Sequence, residues 1–296
     1  MHWQAIDGFL NLLKPPGLTS QEAVTLARRV LGAAKAGHAG ALDPVAAGVL
    51  PVCLGKATRL ADLVSEGSKT YRAEITFGLA TDTLDVEGQV SAQAEAGMVS
   101  APALKQALGS LVGEIEQVPP AYSAVHVAGR RLYEYARAGV EIAPPVRRVR
   151  VMRLELLDFL PSPGSPRALV EVVCSRGTYI RSLAAQVAGK LGTVGYLSFL
   201  LRTRAGAFAL PAAQTIEEVG DRLAAGEDPV LALDWPLGHL PRLDLGEAEA
   251  RLAGHGGTLP CPESGLVRLY WGDRLLAVAE AEEGLARPRI VFGSGA

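Results

Sequence analysis

Strand-like and helix-like stretches follow one another along this chain without the regular strand–helix alternation that a parallel sheet needs. "FLNLLKPPG" reads as a buried strand stopped by Pro15-Pro16-Gly17. "LTSQEAVTLARRVLGAAKAG" reads as a helix, with Thr19 and Glu22 at capping-box spacing and Gly32 or Gly37 to end it. "KTYRAEITFGLATDT", "VRVMRLELLDFL", "RALVEVVCSRGTYI" and "YLSFLLRTRAGAF" read as strands. "SAPALKQALGSLVG", "RSLAAQVAGKLG" and "TIEEVGDRLAAG" read as helices, the first with Pro102 in its opening turn. "PVAAGVLPVCLGKATRLADLV" is helix-like but cut by Pro51, which predicts two short helical pieces. The order predicts an α+β fold with a mixed, mostly antiparallel central sheet flanked by helices.

Proline pairs bracket "VPPAYSAVHVAGRRLYEYARAGVEIAPPVRRV", which reads as an inserted lobe, part loop and part short helix. Around "LDWPLGHLPRLDLG" the helix-forming pattern stops. The last fifty residues are short alternating runs split by Gly-Asp and Glu-Glu-Gly turns, predicting a small separate β module. The 296 residues suit one large domain, or a large and a small one. The opening residues lack the basic start, apolar stretch and cleavage site of a secretory signal, and no run of about 18 apolar residues predicts a membrane span. Cys53, Cys174 and Cys261 are far apart with no C-x-x-C pair, which fits a reducing cytoplasm and neither a disulfide framework nor a zinc site.

The net charge of −2 conceals a segregation. Residues 120–210 carry 13 basic and 5 acidic side chains, whereas residues 211–296 carry 7 and 14. The middle of the chain is therefore the candidate for a face that meets a polyanion, against the alternative of arginines spread over a solvated surface.

Chemistry-bearing residues are few. "GHAGALDPVAAGVLPVCLG" is nearly uncharged, and Asp43 is its one carboxylate. Before Pro44 it is well suited to cap a helix, the structural reading. Gly40 and Gly48 instead leave room for close approach to the backbone. Arg181, at the start of a predicted helix, is at the wrong end of the helix dipole for a cation, and Asp43 is a candidate partner. Tyr71 and Tyr179 are candidates to stack on a splayed nucleotide or to fill the core, and His38 is a loop residue or a wedge. No phosphate-binding glycine loop, dinucleotide fingerprint or H-E-x-x-H is present. Three classes remain at this point. They are an RNA-modifying enzyme using Asp43, a noncatalytic structured-RNA-binding protein or RNA chaperone in which Asp43 only caps a helix, and a sugar-acting enzyme with a carboxylate nucleophile.

Six blocks spanning residues 11 to 208, among them "LLKPPGLTS", "GHAGALDPVAAGVLPVCLGKATRL", "QVPPAYSAVHVAGRRLYEYARAG" and "CSRGTYIRSLAAQVAGKLG", occur in the order found in the TruB family of tRNA pseudouridine synthases. The chain resembles that family, whose members isomerise uridine 55 in the T loop of tRNA. The resemblance implies a pseudouridine synthase fold over residues 1–238, an RNA-clamping lobe at 118–147, and a PUA-like RNA-binding domain at 239–296. It implies Asp43 as catalytic aspartate, Tyr71 against the target base and Arg181 paired with Asp43. Tyr179 and Leu200 would line the pocket, His38 would occupy the remodelled T loop, and Lys14 and Pro15 would support the site. Arg130 and Arg131 would meet RNA from the lobe, where His126 stands in place of the family's usual lysine. The expected partner is the T-arm stem-loop of tRNA, bound by a cytoplasmic monomer with no metal, cofactor or membrane involved.

Overall fold

The computed structural model describes residues 3–123, 125–140 and 142–293. Strand β1 (Gly8–Lys14) leads through α1 (Ser20–Leu31) and the short β2 (Ala36–His38) to β3 (Ala47–Leu54). The capping box at α1 forms as the sequence predicts. Thr19 Oγ1 accepts the Glu22 N–H, Glu22 Oε2 accepts the Thr19 N–H, and left-handed Gly32 ends the helix.

A 3₁₀ turn (Gly55–Leu60) and α2 (Ala61–Glu66) precede β4 (Lys69–Phe77) and the hairpin of β5 (Leu79–Thr81) and β6 (Val90–Gln93). After α3 (Ala101–Gly109) and β7 (Gly113–Gln117) comes the inserted lobe, built from β8 (His126–Val127), β9 (Arg130–Arg131) and α4 (Leu132–Arg137). The body closes with β10 (Arg147–Leu160), β11 (Arg167–Cys174), α5 (Ile180–Lys190), β12 (Gly195–Ala205), β13 (Phe208–Ala209) and α6 (Ile216–Ala224).

The central sheet runs β1-β3-β12-β4-β11-β10-β7, with β2 and β13 attached, and every pairing is antiparallel except β3 with β12. Helices α3 and α5 cover one face, where Ile75, Val170 and Leu197 of the sheet meet Leu104, Leu183 and Val187. Helix α1 buries Val24 and Ala27 against Leu12, Leu50 and Val52 of β1 and β3.

Two expectations are corrected. Residues 47–54, read as helical, form β3. Val49, Leu50, Val52, Cys53 and Leu54 are all fully buried, and a strand covered on both faces is as continuously apolar as a buried helix. Pro51 is tolerated because its carbonyl, and hence its ring nitrogen, faces the side where β2 has ended and Ala39 N–H takes the carbonyl.

The C-terminal runs do form a β sheet, β14 (Arg242–Asp244), β15 (Leu259–Pro260), β16 (Gly265–Trp271), β17 (Arg274–Glu282) and β18 (Leu285–Val291) in the order β14-β16-β17-β18-β15, but a helix the sequence reading omitted, α7 (Glu247–Gly254), packs on it through Ala250 and Ala253. Tyr270, Leu275, Val278 and Phe292 of this unit share a core cluster with Phe9, Leu60 and Phe208 of the body. No described helix is long and apolar enough to cross a membrane.

The parallel pairing of β3 with β12 in the central sheet depends on Gly48. Its pairing with Arg202 brings the two backbones so close that a Cβ on Gly48 would fall 2.7 Å from the Arg202 nitrogen and closer still to its carbonyl, at a φ of +117°. Gly48→Ala should therefore lower stability by about 2 kcal/mol or more, from the backbone conformation and the collision together. Urea unfolding measures this, and a loss below about 0.5 kcal/mol would mean β3 and β12 can separate without penalty.

Candidate active site

Asp43 lies in the loop between β2 and β3. Its carbonyl accepts the Ala46 N–H, so Asp43-Pro44-Val45-Ala46 is a tight turn with proline at its second position and leads into a strand. The cap expected of Asp43 has no helix to serve.

The loop is pinned from three sides. Ser20 Oγ donates to Leu42 O at 2.9 Å and accepts the Leu42 N–H at 2.7 Å. The Lys14 ammonium, fully buried, donates to the carbonyls of Pro15, Leu18 and Pro44 at 2.9, 2.6 and 3.2 Å. Burial holds its pKa down at about 8, with Asp43 acting in the opposite sense. Arg202 of β12 donates through Nη2 to Gly40 O at 3.0 Å, through Nη1 to Ala41 O at 3.2 Å and through Nε to Val49 O at 2.7 Å.

Arg181 comes to Asp43 from the first turn of α5. Its Nε lies 2.9 Å from Asp43 Oδ2, but the N–H is not aimed at that oxygen, so the contact is an ion pair and not a hydrogen bond. Nη1 lies 3.4 Å from Asp85 Oδ2 and donates to Thr83 O at 3.0 Å, and Nη2 donates to Tyr122 O at 3.0 Å. Asp85 is itself oriented by Thr83 Oγ1 at 2.6 Å and the Glu87 N–H at 3.1 Å. The side chains of Arg181 and Asp85 are each 5% exposed, whereas that of Asp43 is 39% exposed. Asp43 is thus the reachable end of a buried chain of charge.

It opens into a cavity of about 470 Å³ walled by Leu42, Tyr71, Tyr179, Leu200 and Arg202, with Arg147, Arg148 and Arg176 also lining it. Burial raises the Tyr71 phenol pKa and keeps that ring neutral. Gln117 fixes Tyr179 by exchanging hydrogen bonds with its backbone at 3.0 and 3.3 Å. Cys174, next to this region at the end of β11, is buried with its thiol pushed up to about 11, which removes it as a nucleophile.

A model of the TruB family pseudouridylate synthase N-terminal domain matches residues 28–180, more than half of the sequence. The chain belongs to the TruB family. It is 52% identical over 252 residues to the tRNA pseudouridine synthase B of Symbiobacterium thermophilum, covering 85% of this chain and 82% of that protein. With the enzyme of the same name from Thiobacillus denitrificans the identity is 44% over 97% of this chain and 96% of the relative. Among solved structures, a chain of a Cbf5–Nop10–Gar1 complex superposes with a TM-score of 0.73 at 27% identity, covering all of this chain and 86% of that one.

Within this TruB-family fold, Asp43, Tyr71, Tyr179, Arg181 and Leu200 converge on one cavity. Lys14 is beneath it, with Pro15 exposed beside it and contributing a carbonyl. His38 on β2 does not line the cavity. It is half-buried, its Nδ1 has no hydrogen-bond partner, and burial and then Arg202 lower its pKa. Arg130 and Arg131 are exposed on the lobe, where His126 pairs with Arg131 across the β8–β9 hairpin.

Sequence reasoning missed Asp85, Arg202 and Lys69. Arg202 follows Leu200 by two residues, and Lys69 precedes Tyr71 by two, so each shares a strand face with a recognised residue, which was the available signal. Nothing local marks Asp85.

Arg181→Ala should destabilise the protein by about 3–5 kcal/mol, because it strands the buried Asp85 carboxylate without its cation. Adding Asp85→Asn should recover part of that loss, and urea midpoints of the two variants read it. A single-variant effect below about 1 kcal/mol would mean that water or another donor satisfies Asp85.

Proposed function

We propose that this protein isomerises uridine to pseudouridine in tRNA, acting on uridine 55 of the T loop with Asp43 as its catalytic carboxylate. The observation that carries the reading is the Asp43–Arg181–Asp85 chain, whose one accessible oxygen-bearing end opens beside Tyr71 and Leu200 into a cavity otherwise rich in arginine. The relatives' name, tRNA pseudouridine synthase B, supports the substrate.

The reaction breaks the N1–C1′ bond, turns the base and joins C5 to C1′. A carboxylate paired with a neighbouring guanidinium serves it as a nucleophile or as a stabiliser of positive charge on the sugar. Leu42, Leu200 and the neutral Tyr71 ring would pack around the extruded base and keep water from the opened sugar. Arg181 would hold Asp43 at a fixed angle to C1′.

On this reading residues 1–238 are the catalytic domain, 118–147 clamp the stem-loop, and 239–296 form a PUA-like RNA-binding domain. Tyr122, whose carbonyl accepts from Arg181, would connect the lobe to the site. Arg147 and Arg176 line the cavity and would meet the phosphates that flank an extruded nucleotide. The protein would act as a cytoplasmic monomer.

Asp43→Asn should abolish pseudouridine formation and leave tRNA affinity within a few-fold of wild type. Release of tritium from 5-tritiated uridine in a tRNA transcript measures the first and filter binding the second. Turnover above roughly a tenth of wild type would return Asp43 to a structural role and favour the noncatalytic RNA-binding reading.

Binding should weaken with salt although the chain is net acidic, because residues 120–210 carry the local positive excess. Each phosphate neutralised contributes about −0.7 to −0.9 to the slope of log K against log salt. Replacing Arg130 and Arg131 together by Ala should flatten that slope by up to about 2. Parallel lines for the two proteins would remove these arginines from the RNA interface.

A further inference from the structure

Arg202 is withdrawn from solvent, at 1% exposure, yet it forms no ion pair with any Asp or Glu among the described residues. A buried cation without a counter-ion is costly, and an apolar side chain of similar length would fill the same space without that cost. What an apolar side chain could not do is make the three hydrogen bonds of the fork. One goes to Val49 in β3, and two go to Gly40 and Ala41 in the loop that carries Asp43.

The strand register adds a second tie. Arg202 pairs with Gly48 of β3 on one side and with Tyr71 of β4 on the other. One residue therefore connects the strand bearing Tyr71, the strand that follows Asp43 and the loop that carries Asp43. Its charge is also felt nearby, for after burial it is among the causes of the lowered pKa values of Lys14, His38 and Lys69.

We infer that Arg202 is a positioning residue for the isomerisation, its guanidinium fork fixing the carbonyl directions of Gly40 and Ala41 and through them the aim of the Asp43 carboxylate relative to Tyr71. This rests on the function proposed above. The fork is the operative feature, since a lysine would keep the charge at the same strand position but offer its donors from one nitrogen, without the planar spread that reaches Val49 and the two loop carbonyls together.

The test compares wild type, Arg202→Lys and Gly40→Ala in single-turnover conversion of a tRNA transcript, with tRNA affinity and the unfolding midpoint measured alongside. Gly40 has φ +98°, which alanine avoids, while the nearest atom to an added Cβ is Nη1 of Arg202 at 3.9 Å, so this variant tilts the loop without crowding the core.

Both variants should lose about 100-fold in conversion rate, the effect of an ångström-scale misplacement of a reacting group, with tRNA affinity within about threefold of wild type. A rate within about threefold of wild type in a folded Arg202→Lys overturns the inference, as does a loss of affinity that matches the loss of rate. If Arg202→Lys does not fold, Gly40→Ala decides alone: a normal rate overturns the inference and a selective loss of rate upholds it. Wild type that makes no pseudouridine refutes the proposed function itself, whereas active wild type with an equally active Arg202→Lys refutes only the positioning role.

Discussion

Four cationic side chains, Lys14, Lys69, Arg181 and Arg202, are withdrawn from solvent around one cavity, and each must find acceptors there. Lys14 takes three main-chain carbonyls, Lys69 those of Ser65 and Gly67, and Arg202 those of Gly40, Ala41 and Val49. Arg181 combines two carbonyls with the carboxylates of Asp43 and Asp85. The constraint works in both directions. Carbonyls that satisfy a buried ammonium or guanidinium cannot turn away, so the loops that supply them are held in one conformation. The segment around Asp43 has no regular secondary structure, and these contacts stand in for it.

The sheet explains why the cations meet at that place. β12 lies between β3 and β4, parallel to the first and antiparallel to the second, so Arg202 reaches the Asp43 loop from one edge while Leu200 on the same face walls the cavity. The approach is possible because Gly48 has no side chain to hold the backbones apart. At the outer margin, Arg148 and Arg176 each have a glutamate 3.5 Å away, but these pairs are exposed and worth little in water. Such arginines can exchange a carboxylate for a phosphate at small cost, unlike the buried four.

Much of the architecture was legible because local rules and tertiary packing agree. Thr19, Glu22 and Gly32 bound α1 by interactions contained within the helix itself, and alternation in "KTYRAEITF" marks a strand whose Tyr71, Ala73 and Ile75 face the core. Where they disagree, the local reading failed. The run through Val49 to Leu54 is apolar at every position because both faces of β3 are covered, and no periodicity remains to separate strand from helix. Helix α7 was lost among short runs, since only Ala250 and Ala253 of its residues are buried and small side chains leave a faint pattern.

The sequence by itself determined the α+β class, the start of α1, the family, and the suspicion attached to Asp43, Tyr71 and Arg181, because these depend on residues close together or on ordered motifs. Tertiary structure alone decided that Asp43 begins a turn and not a helix, that Arg181 spans two carboxylates, and that Arg202 holds the loop between them and the sheet. Asp85 and Arg202 come from segments far from Asp43 in the chain. A charge so distant leaves no trace in local composition, and its partner is chosen only when the sheet order brings the strands together.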